Sequence, residues 1–317
     1  MNSTNPTIRP MAVGAEVLGL APGREQDPAV RKMLYDAWLA HGILLFRNVE
    51  TIEHHLALSR VFGELELHPL PFMRASYEPL LMEMGGDKRG QAYVYDETDM
   101  LLGRIPWHRD TAYTVDICKG AMLRMLEVPP TDGETMVADT AMAYDDLPAE
   151  MKARLDGMEY TTSFHSMDQS WPGQFWKTMR VATAEEDPIG AQAPTRHMED
   201  GPEVVHPVVM THPESGRKCL FLSPKDSLYF LGMERNESDE LLRELSVHMR
   251  NPKYVYKHSW SVNDALLWDN RRIIHAAAGY RPEHRRWAVR TTLAGPLRTG
   301  RYLDPAVQDA GLPFAMD

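Results

Sequence analysis

The chain has 317 residues, 43% of them apolar and 25% charged, with a formal net charge of -11. This is a globular composition with enough chain for a large core, and its sign argues against a hold on nucleic acid or an anionic membrane, both of which need a basic face. No run of about 20 apolar residues occurs, and the opening Met1-Asn2-Ser3-Thr4-Asn5-Pro6 has no basic segment followed by an apolar one, so a cytoplasmic protein without a membrane span is expected.

Residues 7–20 read as a short strand pair around Gly14. Pro28 to Ala40 carries Val30, Met33, Leu34, Trp38 and Leu39 at the spacing of one buried helical stripe, ended by His41-Gly42. Ile43-Leu44-Leu45-Phe46 follows as a buried strand, and a helix from about Thr51 to Phe62 closes at Gly63. Residues 64–69 alternate like a strand edge. Gly85-Gly86-Asp87-Lys88-Arg89-Gly90 marks 83–104 as an inserted mobile loop. Strands are expected at 120–128 and 135–139, around the turn Pro129-Pro130-Thr131-Asp132-Gly133-Glu134, and then a helix over about 141–156. Residues 165–203 lack periodicity but hold Trp171, Phe175 and Trp176, which fits a lid inserted over a pocket. A hairpin is expected from 204–211 and 218–223. A helix over 240–250 has Asn236 or Ser238 as its cap, and strands at 255–261, 265–269, around 275 and at 285–294 finish the chain.

Short strands with flanking helices suggest one mainly β domain, a double-sheet jelly roll or double-stranded β-helix of cupin type, rather than a wound α/β sheet. Cys118 and Cys219 make neither a disulfide framework nor a thiolate metal site, and read as core thiols.

Chemistry concentrates at Ile105-Pro106-Trp107-His108-Arg109-Asp110-Thr111-Ala112-Tyr113. If this stretch is extended, its period of two places His108 and Asp110 on one face, where they can fill two positions of one metal. Two other His-x-carboxylate triplets, His197-Met198-Glu199 and His212-Pro213-Glu214, lie in turn-like surroundings. Only the first triplet gains a distant partner, His275. Two histidines and one carboxylate with open positions form the facial set of non-haem Fe(II) oxygenases. In the last strand Arg286 and Arg290 leave by one face, and two inward guanidiniums need anions: a dicarboxylate cosubstrate or an acidic substrate.

These residues bring the chain, from about 8 to 297, close to a known family. Phe62-Gly63-Glu64 with His68-Pro69, Trp107-His108-Arg109-Asp110, Gly133-Glu134-Thr135, His206-Pro207-Val208-Val209 with Thr211-His212-Pro213, Trp268-Asp269-Asn270-Arg271 with His275, and Arg286 with Arg290 together resemble the taurine dioxygenase and 2,4-dichlorophenoxyacetate dioxygenase family. The resemblance implies an Fe(II)- and 2-oxoglutarate-dependent dioxygenase. His108, Asp110 and His275 would bind iron, and Arg286 with Thr135 would take the distal carboxylate of 2-oxoglutarate. O2 would occupy the remaining position, with succinate and CO2 released as a small or medium-sized organic acid is hydroxylated. Arg290 and His68 resemble the pair that grips the substrate's anionic group, and Phe164 would touch substrate. Asp269 and Asn270 would tie down the turn before His275.

The sequence departs from taurine dioxygenase at Leu70-Pro71-Phe72, at Ser223, and in the two insertions, which puts taurine itself in doubt as substrate. Desaturation, epimerisation or cyclisation on the same cofactors is the alternative outcome. A vestigial β-barrel binding protein or a zinc hydrolase with the same ligands are the readings from other classes. The expected partner is a small anionic molecule, in a homo-oligomer of two or four chains.

Overall fold

The computed structural model describes residues 6–68, 71–86, 90, 92–95, 99–164, 179–192, 201–295 and 297–307. Two facing sheets form its centre. The larger runs Thr7–Pro10, Ala15–Leu18, Ile43–Phe46, Ala265–Asp269, Gly120–Glu127 and Trp287–Leu293, and both Leu65–Glu66 and Leu81–Gly85 pair with Trp287–Leu293. The smaller runs Val255–His258, Thr135–Asp139, Ile273–Ala277 and Ile105–His108. The chain crosses from one sheet to the other at each step through 105–108, 120–127 and 135–139, and again through 255–258, 265–269, 273–277 and 287–293. That winding makes the fold a double-stranded β-helix, or jelly roll, as the sequence suggests.

Alternation along these strands sorts the side chains into separate cores. Ala121, Leu123, Met125, Leu266, Trp268 and Ala288 point between the sheets and meet Val137 and Ile273 of the smaller one. The opposite face of the larger sheet, with Met122, Leu267 and Leu293, packs on two helices, α1 (Pro28–His41) and α2 (Ile52–Ser59). The Asp27 and Thr51 side chains cap these helices, and Gly42, at φ 72°, ends α1 in the left-handed conformation. Beyond the smaller sheet, Ile274 and Ala276 pack against α3 (Thr140–Asp145), α4 (Ala149–Leu155) and α5 (Arg235–Met249). Among the described residues, no helix is long and apolar enough to cross a membrane.

Several expectations change. The helix foreseen over 141–156 is two, because Pro148 lacks a backbone donor and disfavours a helical Leu147. The last helix begins earlier, at Arg235, capped by Glu234 rather than by Asn236 or Ser238. The foreseen loop 83–104 contains strands Ala92–Tyr95 and Asp99–Leu102, which pair with each other, and Met179–Val181 from the second insertion adds a third strand. Ala92, Val94 and Leu102 bury themselves against Tyr280, so β-forming residues outweigh the glycine-rich start. Two unforeseen strands, Glu159–Thr162 and Ser227–Phe230, pair with each other, and Val204–Pro207 lies on the other side of Glu159–Thr162. Residues 165–178 and 193–200 of the foreseen lid, His197 among them, lie outside the described residues.

Candidate metal and anion site

Strand Ile105–His108 ends at the first ligand. His108 and Asp110 therefore do not alternate along one strand as foreseen; Asp110 sits in the turn that follows. The two converge because that turn is clamped. Asn270 accepts from the Asp110 N–H at 2.9 Å and returns its amide to the Asp110 carbonyl at 2.9 Å and to Cys118 O at 3.1 Å. Thr111 takes a positive φ of 55° and receives the Cys118 N–H on its hydroxyl.

His275 lies directly opposite His108 across the smaller sheet. The Asp110 carboxylate stands 3.8 Å from His108 Nε2 and 3.7 Å from His275 Nε2, and one donor atom from each of the three side chains lies within 4.8 Å of the others. These gaps exceed hydrogen-bond reach, so the donors face one another without bonding. His108 Nδ1 is 2.7 Å from the Pro106 carbonyl, which fixes the ring proton there and leaves Nε2 as the lone-pair donor. Burial drives the pKa of both imidazoles down and so keeps them neutral; for His275 the neighbouring His108 adds to the effect, while Asp110 opposes it at both. Burial works to raise the Asp110 carboxyl, but the Arg290 guanidinium overcomes it and holds the group far below the usual carboxylate range. Two neutral imidazoles and a carboxylate, gathered but unbonded, suit a divalent non-haem iron.

Three residues to which the sequence reading gives no role are found near this set, and the first two support it. Arg109, between the first two ligands, is wholly buried, stacks 4.4 Å from the Phe221 ring centre, and donates to the carbonyls of Asn270 and Leu220. Its place in the Trp107-His108-Arg109-Asp110 motif, between two candidate ligands, is the signal that could have found it. Trp268 donates to Asp110 at 3.3 Å and its ring lies 4.6 Å from that of His275. Tyr113 stands edge-on to Phe164 at 5.1 Å.

Asp269 ties down the turn before His275 as foreseen, its carboxylate accepting the Arg271 N–H at 3.0 Å, and it also binds the buried His212 at 2.9 Å and the Arg271 side chain at 2.9 Å, which gives the His212 triplet a structural role.

Of the two arginines expected in one strand, Arg290 lies within Trp287–Leu293 and Arg286 immediately before it, and they differ. Arg290 reaches both Asp110 oxygens, at 3.0 and 2.9 Å. Arg286, 8% exposed, has no carboxylate partner among the described residues and makes one long contact, from Nε to Gly133 O at 3.4 Å. Burial brings its pKa down to about 10, against a small opposing effect from Tyr280. Two left-handed glycines border it. A Cβ on Gly85 would stand 2.0 Å from the Arg286 carbonyl, and one on Gly133 would meet Pro129 at 2.7 Å and the Arg286 side chain at 3.4 Å. Thr135 is buried and its hydroxyl accepts from Trp260 at 3.1 Å, leaving its own proton to donate. His68 is half-buried, and its carbonyl accepts from Arg74 at 2.6 Å. It follows Glu66, which lies opposite Thr292, two residues from Arg290.

Comparison with known proteins places the chain in a family. A profile of the family described as "Taurine catabolism dioxygenase TauD, TfdA family" matches residues 7–292. The (S)-phenoxypropionate/alpha-ketoglutarate-dioxygenase of Sphingobium herbicidovorans is 32% identical over 298 residues, covering 94% of each chain. The alpha-ketoglutarate-dependent 2,4-dichlorophenoxyacetate dioxygenase of a Burkholderia species is 28% identical over 304 residues, covering 93% of this chain and 95% of that one. The crystal structure of a taurine dioxygenase from Burkholderia xenovorans superposes with a TM-score of 0.70 at 24% identity, over 96% of this chain and 98% of that one, which establishes the shared fold.

Proposed function

The chain belongs to the TauD/TfdA family and is an Fe(II)- and 2-oxoglutarate-dependent dioxygenase; from that premise we propose that it hydroxylates a small or medium-sized organic acid, using His108, Asp110 and His275 as metal ligands. The observation that carries the assignment is the gathering of three unbonded donor atoms in a chain that also holds Arg286, a buried guanidinium with no carboxylate partner among the described residues. When bound, iron supplies the site at which O2 is activated as 2-oxoglutarate loses CO2 and becomes succinate.

The rest is done by the protein's own groups. Arg286 seats the distal carboxylate of 2-oxoglutarate through its planar fork, and the Thr135 hydroxyl donates beside it. Arg290 and Trp268 keep Asp110 ionised and oriented. The apolar filling between the sheets keeps water from the reacting centre. Arg290, His68 and Phe164 border the substrate, an organic acid of the kind named in the phenoxypropionate and 2,4-dichlorophenoxyacetate relatives. The chain works as one catalytic domain, in the cytoplasm, as a dimer or tetramer whose mass light scattering would report.

Anaerobic titration of the purified protein with Fe(II) and 2-oxoglutarate should give the visible charge-transfer band of a chelated 2-oxo acid. Air and a panel of organic acids should then yield succinate together with a product heavier by one oxygen atom. Absence of the band, or succinate release that needs no iron, would overturn the assignment.

A further inference from the structure

Beside the strand that ends in His108 lies a second buried ion pair with no part in the assignment above. Lys225 has a side chain only 10% exposed, and its ammonium donates to Asp226 at 2.8 Å. Asp226 is fully engaged: its other oxygen accepts from the Ser223 hydroxyl at 2.5 Å, and Ser223 in turn accepts from the Arg109 N–H at 3.0 Å. The Lys225 backbone donates to Trp107 O at 2.9 Å, which fixes it beside the strand that ends in His108.

Among the described residues the ammonium uses one of its three protons on a partner; its only other neighbour of note is the Phe164 ring, 5.7 Å away. Phe164 packs on Tyr113, whose hydroxyl makes no hydrogen bond among the described residues. Burial, followed by the charges of Asp226 and Asp110, pushes the Tyr113 phenol well up, so it keeps its proton. The Lys225 ammonium and the Tyr113 ring thus share Phe164 as a neighbour.

Burying a lysine is costly, and a single carboxylate leaves two of its donors without partners in a place where water is scarce. Arg290 is differently placed. Both of its terminal nitrogens are committed to Asp110, and its Nε is buried without a partner. We propose that Lys225, with the Tyr113 hydroxyl beside it and Phe164 beneath, is the direct anchor for the anionic group of the primary substrate, a monoanionic carboxylate or sulfate ester attached to an apolar body. This rests on the organic-acid reading above and adds to it which cation selects the acid. Asp226 and Ser223 act as positioning residues, holding the ammonium toward the pocket.

The test uses the full-length iron-loaded enzyme and two probe acids, 2-phenoxypropionate and hexyl sulfate, with the amide of the first as its neutral counterpart. Substrate-dependent succinate formation is measured for the wild type, Lys225→Met and Lys225→Arg. In Lys225→Met, KM for the preferred acid should rise and kcat/KM fall by about 10- to 100-fold, the range for loss of a charge-assisted hydrogen bond. The acid-to-amide preference should collapse by a similar factor, with Lys225→Arg recovering part of it.

A purely structural lysine would lower melting temperature and slow acid and amide alike; an unchanged acid-to-amide ratio in a folded Lys225→Met enzyme overturns the anchor while leaving the dioxygenase assignment intact. A wild type that releases succinate with neither acid above its substrate-free rate overturns the organic-acid reading and the anchor with it. Should Lys225→Met not fold, Tyr113→Phe supplies the second arm: a smaller fall in the same ratio is expected, and no change at all counts against the subsite.

Discussion

Arg286 and Arg290, the two ends of a five-residue span that enters strand Trp287–Leu293, carry the same side chain in opposite electrostatic states. At one end Arg290 lies against both oxygens of Asp110; at the other Arg286 is equally enclosed and has no counter-charge among the described residues. Burial lowers the pKa of both, but at Arg290 the Asp110 carboxylate outweighs it and the net shift is upward, while at Arg286 nothing comparable opposes it. A guanidinium held without a partner in a poorly solvated place is a standing cost to the fold, and the natural reason to keep it is an anion that arrives later. The first arginine completes the protein; the second completes the complex.

Asp110→Asn should break the contrast most severely. It removes a metal ligand and turns Arg290 into a second unpaired cation, so turnover should fall by about 10³-fold or more. Retention of full iron binding in equilibrium dialysis would contradict the ligand assignment.

The next largest effect should be opposite in sign at the two ends. Arg290→Met leaves the Asp110 charge buried and alone, and should lower the stability of the metal-free protein by about 3 kcal/mol. Arg286→Met removes a lone buried charge and should leave that stability equal or slightly higher. Urea denaturation of both variants decides it, and equal losses would erase the distinction drawn here.

Arg286→Met should nevertheless weaken 2-oxoglutarate binding by about 100-fold, with Arg286→Lys intermediate, since a point charge replaces a bidentate fork. Isothermal titration of the iron-free protein or of the Mn(II) form reads this without turnover.

The smallest effect extends the comparison to buried bases that can shed their charge. Burial, with Arg124 nearby, lowers the His55 pKa to about 3, and burial lowers that of His206 to about 4. Both are neutral in the folded protein at pH 5, whereas the unfolded chain binds protons below about pH 6.5. Stability is therefore fully present above that value and declines as pH falls toward the folded pKa values, by about 2 kcal/mol for each histidine between pH 7 and 5. His55→Gln and His206→Gln should each flatten the slope, and a decline identical to that of the parent would count against this account.

Legibility in the sequence followed periodicity and motif. Leu266-Leu267-Trp268 and Arg286 to Arg290 alternate strongly enough to place the inner strands and the inward arginines, and the Trp-His-Arg-Asp motif with a distant histidine picks out the ligands. Alternation failed at Asp110, because a cross-chain clamp by Asn270, rather than strand geometry, brings that carboxylate in. Pro148 was legible in principle as a helix break but was masked by the even spacing of Leu147, Met151 and Leu155. Lys225 and Tyr113 give no local signal. Each is a single residue in an irregular segment, and its position beside His108 exists only once Trp107 and Lys225 are paired.

The buried guanidinium of Arg109 bears on how the site comes into being. Its bond to the Asn270 carbonyl spans 161 residues of chain, and the Leu220 carbonyl it also engages belongs to a third segment. Bringing such remote stretches together carries a loop-closure cost and belongs to the slow, late part of folding for topologies rich in distant pairings. The ion is thus a guest of a finished barrel and not a seed for its formation, and nascent or half-assembled chains present no complete set of donors to capture it.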